Sequence, residues 1–310
     1  MKKISVVIPA HNEEGNILPM AEALAEVFQS LPYEYELIFI DDGSTDRTLE
    51  VLQAVAQERK HVFYIEFSRN FGHQPALKAG IDYADGDCVI SLDCDMQHPP
   101  ALIPELIRKW EEGYDIVYTR RKEDKKLPYM KRKTSHWFYL FTNKISGVEM
   151  EEGTADFRLI DRRVADVFST FLENDLFIRG MIKWMGFRQY AIDYTPGERL
   201  SGETKYTFQK MLSFAVKGIT SFSVSPLYLA MYIGMFMAVA AILYLPYVLY
   251  AYFTGHSAAG WASVLLSVVF FGGLQLIMLG ILGIYVGKLF MQSKNRPTYI
   301  VRRTNKGRIV

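Results

Sequence analysis

Residues 88–100 read Cys-Val-Ile-Ser-Leu-Asp-Cys-Asp-Met-Gln-His-Pro-Pro. The first five are apolar or small, and they lead straight into two carboxylates, Asp93 and Asp95. A short apolar run bounded by a turn signal reads as a buried strand. In extended backbone, residues i and i+2 point the same way, so Asp93 and Asp95 can converge on one hard cation such as Mg2+ or Mn2+. Gln97 lies two residues further on and offers a neutral oxygen. The pattern recurs upstream. Residues 36–40 are mostly apolar and run into Asp41-Asp42-Gly43-Ser44-Thr45-Asp46, where Gly43 suits a tight turn and Thr45 or Asp46 can cap the next helix. Two acidic clusters, each at the exit of an apolar strand, need a cation or hydrogen-bond donors to be tolerated there.

Outward from these clusters the first half alternates. Strands are expected at residues 4–9, 36–40, 62–66, 88–93 and 116–119. Helices are expected at 17–28, 48–58, 74–83 and 99–112. Such alternation implies an α/β fold with a mainly parallel sheet covered on both faces, and ligands bind beyond the carboxyl ends of its strands. Lys2 and Lys3 precede an apolar run that ends by Ala10. That is too short for a signal peptide, so this part is expected to remain in the cytoplasm.

The 310 residues carry 35 Lys and Arg against 34 Asp and Glu, a balance that argues against a general nucleic-acid binder. The two cysteines, Cys88 and Cys94, form no metal-spaced cluster and no disulfide framework. No GxGxxG or GxxxxGK[ST] pattern is present, which removes the main support for dinucleotide and P-loop readings.

The last third is different. Residues 226–253 and 261–286 carry no charge, and each is long enough to cross a bilayer core of ~30 Å. Lys205, Lys210 and Lys217 precede this pair, and Lys288, Lys294, Arg296, Arg302 and Arg303 follow it. The link at 254–260 has neither Lys nor Arg, which predicts a hairpin with both termini cytoplasmic, at the inner membrane. Residues 131–145 and 206–222 mix aromatic and basic side chains and suit helices at the headgroups. The expected division is a catalytic domain at 1–200, an interfacial helix at 201–225, two transmembrane helices at 226–290 and a basic tail at 291–310. The aromatic hairpin leaves room for a homo-oligomer.

The chain resembles the family 2 glycosyltransferases of GT-A fold, a Rossmann-like architecture, and within them the polyprenyl-phosphate glycosyltransferases. Six ordered blocks carry the likeness: Val7 to Glu14, Asp41 to Asp46, Arg69 to Gly72, Asp93 to Pro100, Thr154 to Arg158 and Arg199 to Tyr206. The resemblance implies metal-dependent transfer of a sugar, with inversion, from a nucleotide-sugar donor to a polyprenyl phosphate. The block Asn70-Phe71-Gly72-His73-Gln74 is similar to that of users of UDP-sugars. Pro9, Ala10, Asn12, Glu14, Asp41, Asp42 and Asp93 would then bind the donor. Asp93, Asp95 and Gln97 would hold Mg2+ or Mn2+ and the diphosphate. Asp156 would sit near the reacting carbon, with Arg199 and Lys205 on phosphate charge. Arg120, Arg132 and Ser135 are candidates for the acceptor phosphate. His98 stands where the family often has Asp. A processive polysaccharide synthase would carry a Gln-x-x-Arg-Trp motif and more spans, and neither is present. A non-catalytic membrane scaffold is disfavoured by the intact Asp93/Asp95 pair.

Overall fold

The computed structural model describes residues 1–121, 151, 153–173, 176–195, 220, 223–254 and 260–307. Apart from Thr220, the segments expected at the headgroups lie outside these residues, as do Arg132, Ser135, Arg199 and Lys205.

The alternation seen in the sequence folds as βα units. β1 (Lys3–Ala10), α1 (Ile17–Gln29), β2 (Glu34–Asp41), α2 (Thr48–Glu58), β3 (Val62–Phe67), α3 (His73–Tyr83) and β4 (Cys88–Ser91) follow in order. A 3-10 turn (Pro100–Leu102) leads into α4 (Ile103–Glu111) and β5 (Ile116–Arg121). Then come β6 (Thr154–Asp161), α5 (Arg162–Ser169), α6 (Ile178–Trp184) and β7 (Gln189–Tyr194). Two long helices, α7 (Ser225–Phe253) and α8 (Trp261–Ser293), precede a last strand, β8 (Val301–Thr304).

The eight strands form one sheet in the order β7-β5-β6-β4-β1-β2-β3-β8. β1 to β4 are parallel, as the run of buried apolar residues predicts. β6 runs antiparallel between β4 and β5, and β8 runs antiparallel on β3, so the sheet is more mixed than the alternation implied. The strand order reverses beside β1: β2 and β3 lie on one side of it and β4 on the other. That reversal opens a crevice at the carboxyl ends of β1 and β4.

Side-chain alternation along β1 sorts the core into two layers. Ile4, Val6 and Ile8 pack with Met20 and Leu24 of α1 and Leu106 of α4. Val7 faces the other layer, with Ala76 of α3 and Val164 and Phe168 of α5. A Cβ on Gly80 would lie 2.0 Å from Val7 Cγ1, so α3 can sit this close to β1 only with glycine there.

α7 and α8 are long and apolar enough to cross a membrane: the most apolar 18-residue stretch has mean hydropathy 2.0 within Ser225–Ala251 and 2.4 within Val264–Ser293. Their side chains face outward along their length instead of packing into the core. The segment after them, expected to be a basic tail, returns to the sheet as β8. Tyr299 stacks on Phe67 at 5.4 Å between centroids and donates to Asp82 Oδ2 at 2.9 Å. The Lys306 side chain is buried, its Nζ 2.6 Å from Glu36 Oε1. Lys3 Nζ lies 2.5 Å from Glu36 Oε2, and Ser5 and the Asp85 amide donate to Oε1. Burial alone would raise the pKa of Glu36; these donors outweigh it and lower it to about 2.

Candidate functional site

A cleft of about 470 Å³ opens where the strand order reverses. Its walls are Pro9 and Ala10 at the end of β1, His11 and Glu13 after it, Asp42 after β2, and Asn70, Gly72, His73 and Ala76 around the start of α3. Asp93, Cys94 and Asp95 after β4, with Asp156 from β6, complete it. Antiparallel pairing sets Ser91 opposite Arg158, which carries the beginning of β6, and so Asp156, to the carboxyl end of β4.

Loops stitched to one another shape the side of the cleft beyond β1 and β2. Asn12 has φ 57°, a strained conformation for a non-glycine residue, and its Oδ1 accepts from the Thr45 amide at 2.8 Å. The Arg47 amide donates to Glu14 Oε2 at 3.0 Å, and the Glu13 amide to Thr48 Oγ1 at 2.8 Å. Asn12 and Glu14 therefore brace the rim of the cleft, and His11 and Glu13 line it. Asp41 accepts from the Ser44 amide at 3.1 Å. Asp42 is buried, and its two oxygens accept from the Phe71 and Gly72 amides at 2.7 and 2.9 Å. Burial outweighs these bonds, and its pKa is raised. A Cβ on Gly43 would fall 2.5 Å from backbone atoms of Arg69 and Asn70, so glycine lets these loops touch.

The acidic turn after β4 is also held by its surroundings. Met96 adopts φ 61° within it. The Asp93 amide donates to His98 Nδ1 at 3.0 Å, and the Gln97 amide to Asp95 Oδ1 at 3.1 Å. His98 is buried against Phe157, which lowers its pKa and favours the neutral, accepting imidazole. His98 thus orients the Asp93 turn from behind; it is not one of the residues lining the cleft.

Asp156 is only 6% exposed. Arg179 grips both its oxygens, Nε to Oδ1 and Nη2 to Oδ2, each at 2.9 Å; Arg158 adds a bond to Oδ1 at 3.1 Å. Burial opposes ionisation, but the Arg179 charge, the His73 and Arg179 hydrogen bonds and the Arg158 charge hold the pKa well below the carboxylate range. His73 Nε2 lies 3.4 Å from Asp93 Oδ1 and 3.6 Å from Asp156 Oδ2, so it bridges the two acids.

These acids fit a hard divalent cation. Asp93 Oδ1 is buried and accepts no hydrogen bond. Glu13 has its pKa raised by burial and by Asp95, Asp46 and Asp93, a sign of crowded negative charge. Among the described residues no three His, Cys, Asp or Glu side chains form a ready-made metal cage. That suits a cation such as Mg2+, which takes one or two carboxylates and completes its shell with phosphate and water oxygens.

Of the residues singled out in the sequence, Pro9, Ala10, Asp42, Asp93, Asp95 and Asp156 line one cleft, with Asp41 at the end of β2 and Asn12, Glu14 and Gln97 in the loops beside it. Arg120 sits on β5 and is engaged elsewhere, with Asp193 at 2.7 Å and Glu151 at 3.3 Å. The sequence reading did not single out His11, Glu13, His73 or Arg179. His73 had a visible signal: it follows Gly72 and opens a helix just past the end of β3. Arg179 had none, since only packing brings α6 to Asp156.

A mixed sheet with an acidic, cation-ready cleft at its point of reversal is the architecture of the GT-A glycosyltransferases. Mannosyl-3-phosphoglycerate synthase from Rubrobacter xylanophilus shares the fold, with a TM-score of 0.50, 14% identity, and coverage of 71% of this chain and 73% of that one. Residues 5–168 match the model of Glycosyl transferase family 2. The bactoprenol glucosyl transferase of Shigella phage SfV is 41% identical over 97% of this chain and 98% of its own. A prophage bactoprenol glucosyl transferase homolog of Escherichia coli strain K12 is 40% identical over 98% and 100%. The Bacillus subtilis uncharacterized glycosyltransferase YkcC is 42% identical over 97% and 93%. The chain belongs to glycosyltransferase family 2 and is a glycosyltransferase.

Proposed function

We propose that this enzyme transfers a sugar from a uridine diphosphate donor to a polyprenyl phosphate at the cytoplasmic face of a membrane, with inversion and with a divalent cation. One combination carries the reading: a cation-ready cleft and two lipid-length apolar helices share a chain that aligns end to end with bactoprenol glucosyl transferases. Glucose is the first donor sugar to test, on the names of those relatives.

Pro9, Ala10 and the braced loops around Asp41 and Asp42 would seat the nucleotide. Asp93 and Asp95, with Gln97 beside them, would hold Mg2+ or Mn2+, which supplies neutralising charge for the departing diphosphate. The acceptor phosphate has a second pKa near ~6, so at neutral pH it is already largely anionic. A phosphate oxygen attacks the anomeric carbon from the face opposite the nucleoside diphosphate; the new C–O bond forms as the old one breaks. No strong base is needed. An Asp156 locked in the ionised state by Arg179 is a poor proton acceptor but a well-fixed negative group beside a carbon that gains positive character. Arg199, Lys205, Arg132 and Ser135 remain candidates for the phosphates, and Arg120 joins them only if it leaves Asp193 and Glu151.

The test incubates detergent-purified protein with Mn2+, a long-chain polyprenyl phosphate and a panel of labelled nucleotide sugars, and counts label in the organic phase. Label from one donor, lost with chelator and with Asp95→Ala, is the expected result. Bound nucleotide without lipid label from any donor would overturn the acceptor assignment. Absence of both would restore the scaffold reading.

A further inference from the structure

A small apolar patch projects from the catalytic domain close to the end of α8. Leu172 is 78% exposed and Trp184, at the end of α6, is 66% exposed. Phe171 joins them: its ring meets Trp184 edge-on at 6.0 Å and Phe168 at 6.1 Å. Two large apolar side chains this exposed on one short surface are costly in water unless something covers them.

The position of α8 says what that is. Its 33 residues span about 50 Å at ~1.5 Å per residue, more than a hydrocarbon core of ~30 Å. Lys288 is the first charge in the helix, so the apolar stretch ends there. Gln292 lies one turn beyond, about 6 Å further along the axis, within the depth of a headgroup layer. Its side-chain amide donates to the Leu172 carbonyl at 2.8 Å. The Leu172 loop is therefore tied to α8 at headgroup depth, where Trp is favoured and Leu can reach the acyl boundary.

We infer that Leu172 and Trp184 dock on the lipid headgroups and form a second attachment of the catalytic domain to the bilayer, beyond the hairpin itself. The inference rests on α7 and α8 crossing the membrane. It also sets how far the cleft lies from the bilayer. α6 begins at the Arg179 clamp on Asp156 and ends at Trp184, a length of about 10 Å. The Asp156 clamp then lies only one short helix, ~10 Å, from a headgroup contact.

Cys88 and Cys94 are buried, so an added surface cysteine can be labelled selectively. Full-length Leu172→Cys, carrying a fluorophore, is placed in nanodiscs with lipids bearing a nitroxide at the headgroup; Leu265→Cys, on α8, is paired with acyl-chain nitroxide. Headgroup nitroxide should quench the label at 172 at least twofold, with protection from aqueous iodide. A label at 172 that is open to iodide and unquenched overturns the docking, while quenching at 265 keeps the spans in place. Shielding from iodide without nitroxide quenching means that protein covers the patch, and also overturns it. No quenching at 265 removes the membrane reading and the docking together. In turnover, Leu172→Glu with Trp184→Glu should raise the KM for bilayer-borne acceptor roughly tenfold, from the lost apolar contact. The KM for the nucleotide sugar should stay unchanged; a rise in both equally would mark a fold defect and count against docking.

Discussion

The two ends of the sheet handle buried charge in opposite ways. At the amino ends of the strands, Glu36 meets Lys3, Lys306, Ser5 and the Asp85 amide, and its charge is answered inside the protein. At the carboxyl ends, Glu13, Asp42, Asp93, Asp95 and Asp156 gather in one cleft. There Arg179 and Arg158 answer Asp156, and His73 spans the gap to Asp93, whose Oδ1 accepts no hydrogen bond. Glu36, with a lysine ammonium within 2.6 Å of each oxygen, serves structure. Asp93 Oδ1 has only the His73 ring nitrogen, 3.4 Å away, and so keeps a place for a ligand.

The sharpest way to break this contrast is at the cleft. Asp95→Ala should lower kcat by about 10³-fold, in the range for loss of one preorganised electrostatic contact. Tm should hold or rise slightly, because crowding of negative charge is relieved. Mn2+ with nucleoside diphosphate should raise the Tm of the wild type by linkage and leave that of Asp95→Ala unmoved, as thermal scans would show. A large loss of Tm in Asp95→Ala would mean that this acid is structural after all.

Arg179 lies between the two regimes, and its removal should show both effects. Arg179→Ala is expected to cost about 10²-fold in kcat and about 2 kcal/mol of stability, since Asp156 stays buried with less compensation. Arg179→Lys keeps the charge but loses the two-pronged grip, and should recover stability more than kcat. Equal recovery of both would reduce Arg179 to a structural ion pair.

At the other end of the sheet the effect should fall on stability alone. The Glu36 pKa is held down, so the stability it contributes is full above about 4.5 and is lost as pH falls towards about 2. Denaturant titrations should find about 3 kcal/mol lost across that window in the wild type and a flatter profile in Glu36→Gln. The smallest expected change is Lys306→Met, which leaves Lys3 in place: about 1–2 kcal/mol of stability and an unaltered kcat. A fall in kcat from either variant would couple the two ends of the sheet and dissolve the distinction.

The βα units of the first half were legible because β1 to β4 are buried on both faces and read as continuous apolar runs. The expected strand at residues 62–66 is β3, Val62–Phe67, and the expected helix at 48–58 is α2, Thr48–Glu58. The long helices were legible for the same reason, an apolar run with nothing to interrupt it. β6 and β8 were harder. β6 carries Asp156 and Arg158 within its apolar pattern, and β8 is a short strand, Val301–Thr304, with Arg302 and Arg303 at its centre. Its place at the sheet edge depends on Tyr299 stacking on Phe67 and on Lys306 reaching Glu36, contacts to residues more than 200 positions away.

The sequence by itself determined the alternating α/β fold, the acidic strand exits and the apolar pair of helices, because each is written in local order: apolar period, turn residues and the i, i+2 geometry of a strand. The tertiary structure alone decided that Arg179 clamps Asp156, that His73 bridges it to Asp93, and that the chain after α8 closes back onto β3. Those contacts join segments far apart in the chain, and their partners are chosen by sheet register and helix packing, which no local pattern encodes.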